Sequence, residues 1–462
     1  MKTAVDSMDN KTGLNNIARL KVGVYGLGTT GRSLVENLSA RVEDIVVYDD
    51  LKDSPPAGDW PDNLSWELKP QTIDTGLDLL ILSPGIPAGH RLVEEAEAGG
   101  VEVIGELEFA WRLCRGSVYA VTGTNGKSTC TQLAGAFLKA KSTAPVDVCG
   151  NVGRPMIESV FSHEDSKNVK YVVEVSSFQV ESMRNFKPDH TLLTNLGDDH
   201  QDRHASLAEY HGLKWELLAR TRRGGRVVVP AGLREESRNY ISDHDYETSF
   251  FSSTNISGRD VPAWSSRGLK LSDGLIPADQ FPEILRLFPE NLLAAIEFAD
   301  IDPVVEKIEK GLSEFNPLDY RAQEIFFDSD ICVINDSKGT NPHAVAALLK
   351  KVSGPVRLIL GGGSKQSDFR PVFEEMKNKE IRELLLCGEK QLIVRLTELA
   401  SEYEIEARTA GDWETAVKNI VRNAGPGETV LLSPGATSFD AFENYKKRGK
   451  KFNSWVREVT VG

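Results

Sequence analysis

Cysteine is sparse in this sequence, and basic charge is outweighed by acidic. The 462 residues include five cysteines, Cys114, Cys130, Cys149, Cys332 and Cys387, and no two of them form a CxxC pair. That scatter argues against a disulfide framework or a zinc site. It reads as reduced thiols used for packing in a cytoplasmic protein. Lys and Arg number 54 against 68 Asp and Glu, for a formal net charge of −14. So acidic a chain is not expected to have nucleic acid as its main partner, although a local basic pocket for phosphates is compatible with it. There is no run of about 18 apolar residues to span a membrane, so no membrane partner is expected. The polar first 20 residues lack the apolar centre of a secretory signal and read as a frayed extension.

What is present is strand and helix in alternation. "KVGVYGLG", "DIVVYDD" and "LDLLILSPG" lead a first section; "VYAVTG", "YVVEVSS" and "HTLLTNLG" lead a second; "DICVINDS", "VRLILGGG", "ELLLCG" and "TVLLSPG" lead a third. Short apolar, β-branched runs ending in Gly or Asp are the pattern of buried parallel strands, so the fold class is α/β with doubly wound sheets. The length suggests two to four domains. Joins are expected at 112–116, after the helical "GELEFAWRLCRG", and near "FNPLDYRAQ", where Pro317 interrupts the chain. The expected domains are 1–114, 115–317 and 318–462. The polar stretch 245–280 reads as short strands or loops inside the middle one.

Two glycine loops carry the first chemical signals. Gly26, Gly28 and Gly31 have G-x-G-x-x-G spacing between a strand and a helix, which lets backbone approach a diphosphate at a helix N-terminus. Asp49 and Asp50 end the next strand, and Ser83 and Gly85 end another on the same sheet edge. Taken alone, this loop suggests a dinucleotide, and an NAD-dependent oxidoreductase is one reading of it. The second loop, "VTGTNGKST", has only Thr124 and Asn125 between Gly123 and Gly126, where the common P-loop has about four residues. Its amides and Lys127 suit β- and γ-phosphates, and the Ser128 or Thr129 hydroxyl suits Mg²⁺. Glu174 ends an apolar strand, where a carboxylate needs a cation or donors. "DDHQDRH" then places His200 just beyond a third strand end. On a helix further on, Lys214 alone would pass for a surface residue.

"GTNGKST", the Asn of "CGNVGRP", "VEVSSFQ", "DDHQDRH" with its following Lys, and "INDSKGTN" occur in one order. Together they resemble the Mur ligases, ATP-dependent amide-forming enzymes of peptidoglycan precursor synthesis. "GLGTTG", "SPGIP" and "LLSPGATSFDAFENYKKRGKKF" are similar to the glutamate-adding branch, and the resemblance spans residues 21 to 455. It implies three domains: a Rossmann-like UDP-binding domain, a central P-loop-type ATPase domain, and a C-terminal Rossmann-like domain that closes over the site. The implied reaction adds D-glutamate to UDP-N-acetylmuramoyl-L-alanine through an acyl phosphate. Addition of L-glutamate before a separate epimerase is the other form. A cytoplasmic monomer is implied.

The resemblance also implies roles. Gly123, Thr124, Asn125, Gly126, Lys127, Ser128 and Thr129 hold ATP, with Asn291 at the adenine and Arg321, Asp336 and Lys338 at ribose and phosphates. Two Mg²⁺ ions fall to Ser128, Glu174, His200 and Lys214, the last carrying a CO2-derived carbamate. Gly28, Thr29, Thr30, Asp49, Asp50, Ser83, Gly85, Asn151, Ser176 and Gln179 fall to the UDP-sugar. Thr340, Lys365, Ser438 and Tyr445 fall to the incoming glutamate. Several positions depart from the family pattern: Tyr320 stands for His before Arg321, "RLFPEN" replaces Gly-x-His-Asn, and no aspartate precedes Lys365. Ala436 stands for Cys, and Lys52 stands near a position that is Arg in relatives.

Overall fold

The computed structural model describes residues 17–164, 166–199, 203–204, 206–241, 246–253, 262–328, 331–363 and 367–461. They form two compact units, Met1–Asn195 with His211–Ser252 and Leu293–Phe315, and Leu196–Tyr210 with Ser253–Leu292 and Asn316–Gly462.

The first unit holds two parallel sheets. Strands β1 (Lys21–Tyr25), β2 (Asp44–Asp49), β3 (Leu64–Leu68), β4 (Leu79–Leu82) and β5 (Glu102–Gly105) lie in the order β3-β2-β1-β4-β5. Helices α1 (Thr29–Leu38), α2 (Arg91–Ala98) and α3 (Glu106–Leu113) connect or follow them. Strands β6 (Ser117–Thr122), β7 (Val146–Gly150), β8 (Lys170–Glu174), β9 (His190–Leu193), β10 (Arg226–Pro230) and β11 (Glu247–Phe251) form the second sheet, ordered β11-β10-β9-β6-β8-β7. With it go α4 (Lys127–Lys141), α5 (Met156–Ser162) and α6 (Leu207–Ala219). The central strands are buried on both faces, so β4 reads as a continuous "LLIL" and does not alternate. Within each sheet all strands run one way, so their carboxyl ends share an edge, and each glycine loop leaves from the edge of its own sheet. Among the described residues no helix is long and apolar enough to cross a membrane.

Helix α3 ties the two sheets together. It follows β5 of the first sheet, yet its acids serve backbone around the second. Glu106 Oε1 accepts the Ile157 amide of α5 at 2.7 Å. Glu108 Oε2 accepts the amides of Arg184, Asn185 and Phe186 at 3.1, 3.0 and 2.7 Å. Its Oε1 meets Arg112 Nε at 2.8 Å, and Arg112 also pairs with Glu102 at 2.8 Å. One hydrophobic core runs from Val22 and Leu34 through Leu107 and Phe109 to Met156 and Val173.

The second unit contains a small antiparallel sheet, β12 (Ala263–Ser265), β13 (Gly268–Lys270) and β14 (Leu275–Pro277), within the stretch read as short strands or loops. It also holds β15 (Gln323–Asp328), β16 (Ile331–Asn335), β17 (Val356–Gly362), β18 (Ile381–Gly388), β19 (Ala407–Thr409) and β20 (Thr429–Gly435), in the order β15-β16-β20-β17-β18-β19. Within this six-stranded sheet, β15 alone runs antiparallel to its neighbour. Helix α7 (Tyr445–Val461) packs on this sheet through Phe452, Trp455 and Val456.

Two stability predictions follow from α3. Glu108→Ala removes the acceptor for three amides and strands the 1 %-exposed Arg112; urea denaturation should show a loss of about 3–5 kcal/mol. Burial raises Glu106 from its ordinary 4.5 to about 7. The folded protein therefore holds this proton more tightly than the unfolded chain. The associated stability is present below pH 4.5 and is lost as pH rises to 7. Glu106→Gln, permanently neutral, should gain on the wild type across that window and hold a constant advantage above it, measured by urea midpoints at pH 5 and 8.

Candidate active site

The first glycine loop is built around Asp49. This buried carboxylate accepts the Leu27 amide at 2.7 Å on one oxygen and the Leu51 and Lys52 amides at 2.9 Å on the other. It braces the loop, and three amides already occupy it. Ser83 does similar work, donating to Gly26 O at 2.6 Å. At Gly31 a Cβ would come within 1.9 Å of Gly26 O, so the loop and α1 meet only through glycine. Gly28 and Thr29 are exposed at the start of α1, whose first turn carries no acid and no side-chain cap; such an end favours an anion. Beside them Asp50 accepts the Tyr25 hydroxyl at 2.9 and 3.0 Å, and His90 Nδ1 lies 3.2 Å from that hydroxyl. Burial, and then Asp50, raises the Tyr25 pKa above its ordinary range, so the hydroxyl stays a donor. Tyr25 and His90 carry no motif and escaped the sequence reading.

The second loop joins β6 to α4. Lys127 Nζ folds over it, donating to Gly123 O and Thr124 O at 2.8 Å each. The loop is held from β9: Thr194 Oγ1 donates to Asn125 O at 2.6 Å, and Asn195 donates to the same oxygen at 2.9 Å. Asn195 also accepts the Asn125 amide at 2.9 Å through Oδ1 and the Thr124 amide at 3.1 Å through its backbone. Gly123 sits at φ +140°, and a Cβ there would reach Thr194 Oγ1 at 2.0 Å. Thr194 and Asn195 were also missed, being hidden in the strand end "LLTNLG". Ser128 and Thr129 are buried in the first turn of α4.

Glu174, at the end of β8, is 2 % exposed. Its Oε1 accepts Asn151 Nδ2 at 2.8 Å, while its Oε2 is buried with no hydrogen-bond partner among the described residues. Half of this carboxylate thus lacks the donors that a buried anion needs. Asn151 lies against Glu174, and Ser176 and Gln179 form a capping box, with the Ser176 amide on Gln179 Oε1 at 2.9 Å. Lys214 is 1 % exposed on α6. His200 and Lys365 lie outside the described residues. Among the described residues no group of three His, Cys, Asp or Glu side chains is arranged to hold a metal ion.

In the second unit Asp336 lies just after β16, buried, accepting the Ala322 amide at 3.1 Å and Ser433 Oγ at 2.8 Å. Burial raises its pKa to about 6. Tyr320 has φ +60° and Ala322 φ +42°, so Arg321 sits between two residues in left-handed backbone. The Lys338 amide donates to Tyr320 O at 2.9 Å, and its Nζ lies 5.6 Å from the centre of the Tyr445 ring. Ser438 and Asn291 are buried and Thr340 is half-buried. Asn341 Nδ2 donates to Asp199 Oδ2 at 3.0 Å, linking "SKGTN" to the aspartates of "GDDH". Arg448, 1 % exposed, was not singled out by sequence. It donates to Ser337 Oγ and O at 3.0 and 2.9 Å, to Thr437 O at 3.0 Å and to Ala436 O at 3.2 Å. It therefore joins the loop after β16 to the loop after β20.

Comparison with known proteins matches three family descriptions along the chain: Mur ligase MurD-like, N-terminal domain, at residues 20–105; Mur ligase middle domain at 121–269; and Mur ligase, glutamate ligase domain, at 321–435. A UDP-N-acetylmuramoylalanine–D-glutamate ligase of Caldanaerobacter subterraneus subsp. tengcongensis is 31 % identical, over 95 % of this chain and 98 % of its own. A protein of the same name from Alkaliphilus metalliredigens is also 31 % identical, over 95 % and 98 %. Among solved structures, a MurF ligase of Thermotoga maritima in complex with ADP gives a TM-score of 0.56 at 15 % identity, covering 99 % of this chain and 100 % of its own. MurC of the same organism gives 0.54 at 16 %, covering 95 % and 100 %. These two likenesses concern the fold. With identity running nearly end to end and three Mur domain types in order, the chain belongs to the Mur ligase family.

Proposed function

We propose that this protein joins D-glutamate to UDP-N-acetylmuramoyl-L-alanine, using ATP and releasing ADP and phosphate, in cytoplasmic peptidoglycan precursor synthesis. One observation carries the reading. A phosphate-type loop and a buried carboxylate with one unpartnered oxygen, Glu174, share a sheet edge in a chain that aligns over 95 % of its length with relatives named for this reaction. The glycine loop of the first domain is then read as a UDP-sugar site and not an NAD site. The domains are read as 1–114 for UDP-sugar, 115–317 for ATP and 318–462 for ligation.

The residues divide the work as follows. Loop amides and Lys127 hold the β- and γ-phosphates. Ser128, Glu174, a carbamylated Lys214 and His200 would hold Mg²⁺; the hydroxyl and carboxylate oxygens among them are the hard donors it prefers, and the unpartnered Oε2 of Glu174 fits a cation. Mg²⁺ bound there would offset the charge of the transferring phosphoryl group. The alanyl carboxylate attacks the γ-phosphorus, giving an acyl phosphate and ADP. The glutamate amine then attacks the carbonyl carbon, and phosphate leaves. Gly28, Thr29, Thr30, Asp50, Gly85, Asn151, Ser176 and Gln179 serve the UDP-sugar, with Asp49 and Ser83 acting through the loop they brace. Asn291, Arg321, Asp336 and Lys338 serve the nucleotide. Thr340, Ser438, Tyr445 and Lys365 serve glutamate.

ADP release with purified UDP-N-acetylmuramoyl-L-alanine tests the reading. Release should depend on D-glutamate. Dependence on L-glutamate instead would establish the other stereochemical form, and release indifferent to both would refute ligation. Lys214 is 1 % exposed, and a carbamate would give it oxygen donors of the kind Mg²⁺ prefers. Lys214→Ala should lose activity by about 100-fold or more and regain part of it with acetate or formate. Full activity without added acid would eliminate the carbamate.

A further inference from the structure

Among the described residues, the Glu174 carboxylate receives one side-chain hydrogen bond, from a loop at the edge of its sheet. That loop, Gly150–Arg154, leaves β7, which is the edge strand of the central sheet. It closes on itself through the Gly150 amide and Arg154 O at 2.9 Å, with a bridge between Cys149 and Arg154. Its tip presents Asn151, whose backbone amide donates to Glu174 O at 2.9 Å and whose Nδ2 donates to Glu174 Oε1 at 2.8 Å. These backbone bonds hold it on the β8 side; on the other side, where no further strand flanks β7, side chains hold it.

Arg154 supplies them. Its guanidinium pairs with Asp147 on β7 and reaches Ser162 Oγ at 3.3 Å and Glu158 Oε1 at 3.8 Å on α5. His163, which caps the end of α5, brings Nε2 to 3.3 Å from Asp147 Oδ2. The loop is thus clasped between its own strand and the helix that follows it. Asp147 is the more enclosed partner, with 13 % of its side chain exposed against 33 % for Arg154.

We propose that Arg154, through Asp147, is a positioning residue that fixes Asn151 and so aims the Glu174 carboxylate at its metal. The proposal rests on the reading of Glu174 as a metal ligand. Arg154 reaches Glu174 only through the loop. A bland alternative exists: a half-exposed ion pair that adds a little stability and nothing else. Electrostatics separates the two by sign. Removing a cation near a metal site should tighten cation binding through simple charge, whereas removing a clasp should weaken it.

The test uses the full chain, with Mn²⁺ as probe, titrated in the presence of ADP and read by electron paramagnetic resonance. Arg154→Met keeps the aliphatic stem and drops the guanidinium. It should weaken Mn²⁺ binding about 3- to 10-fold, less than the 10- to 100-fold expected when a group touching a ligand is lost, as in Asn151→Ala. Arg154→Lys should recover most of the loss, and ADP affinity without metal should stay unchanged. Arg154→Gln likewise drops the positive charge and takes the place of Arg154→Met if that variant does not fold. Mn²⁺ affinity that is unchanged or tighter in Arg154→Met, while Glu174→Gln loses it, overturns the clasp alone. Equal affinity in Glu174→Gln and wild type overturns the metal reading of Glu174, and the clasp with it.

Discussion

Glu108 has no exposed surface, and four donors converge on its carboxylate: three consecutive amides and Arg112. The arrangement within the first unit depends on that convergence. A carboxylate buried this deeply is tolerable only when its hydrogen-bonding capacity is used, so α3 has one acceptable seat against residues 184–186. Glu106, two residues earlier, adds the α5 amide. A helix that belongs by sequence to the first sheet is therefore locked to backbone of the second, and the two glycine loops are held in a set relation.

From that base the chemistry collects by topology. Within each sheet, parallel strands deliver their carboxyl ends to one edge, and the residues at these edges are spent in two ways. Some are saturated supports: Asp49 on three amides, Ser83 on Gly26, Asn195 on the phosphate loop. Others keep unspent capacity. Glu174 is the sharpest case, with a donor on one oxygen and none on the other. Support and unspent capacity lie side by side, which is how a buried site keeps its geometry while leaving groups for a ligand.

The sheet strands with uninterrupted apolar runs were legible in the sequence, as were both glycine loops and the strand-end Glu174. Each rests on a local rule: β-branched runs for buried strands, glycine spacing for a tight strand-to-helix turn, and a lone carboxylate closing an apolar run for a strand end. The edge strands β3, β7 and β19 were harder to see. They are short and partly exposed, so "LSWEL" and "VDVCG" mix polar with apolar residues. The contacts that hold the site were not legible at all. Asn195 on Asn125, His90 and Tyr25 around Asp50, and Arg448 across two loops join residues whose meeting is decided by packing. Ser176 and Gln179 show the opposite case, since S-x-x-Q is readable as a capping box, yet the resemblance drew attention to ligand roles instead.

Arg448 is surrounded by carbonyls and a hydroxyl, and burial lowers its pKa to about 10. Ser337 stands just after Asp336, and Thr437 stands just before Ser438, so the loop assigned to the nucleotide and the loop assigned to the amino acid share one guanidinium. Mechanically they are a single part. On the proposed roles, a change that shifts one loop also moves the contacts of the other, so the nucleotide and amino-acid loops would not vary independently.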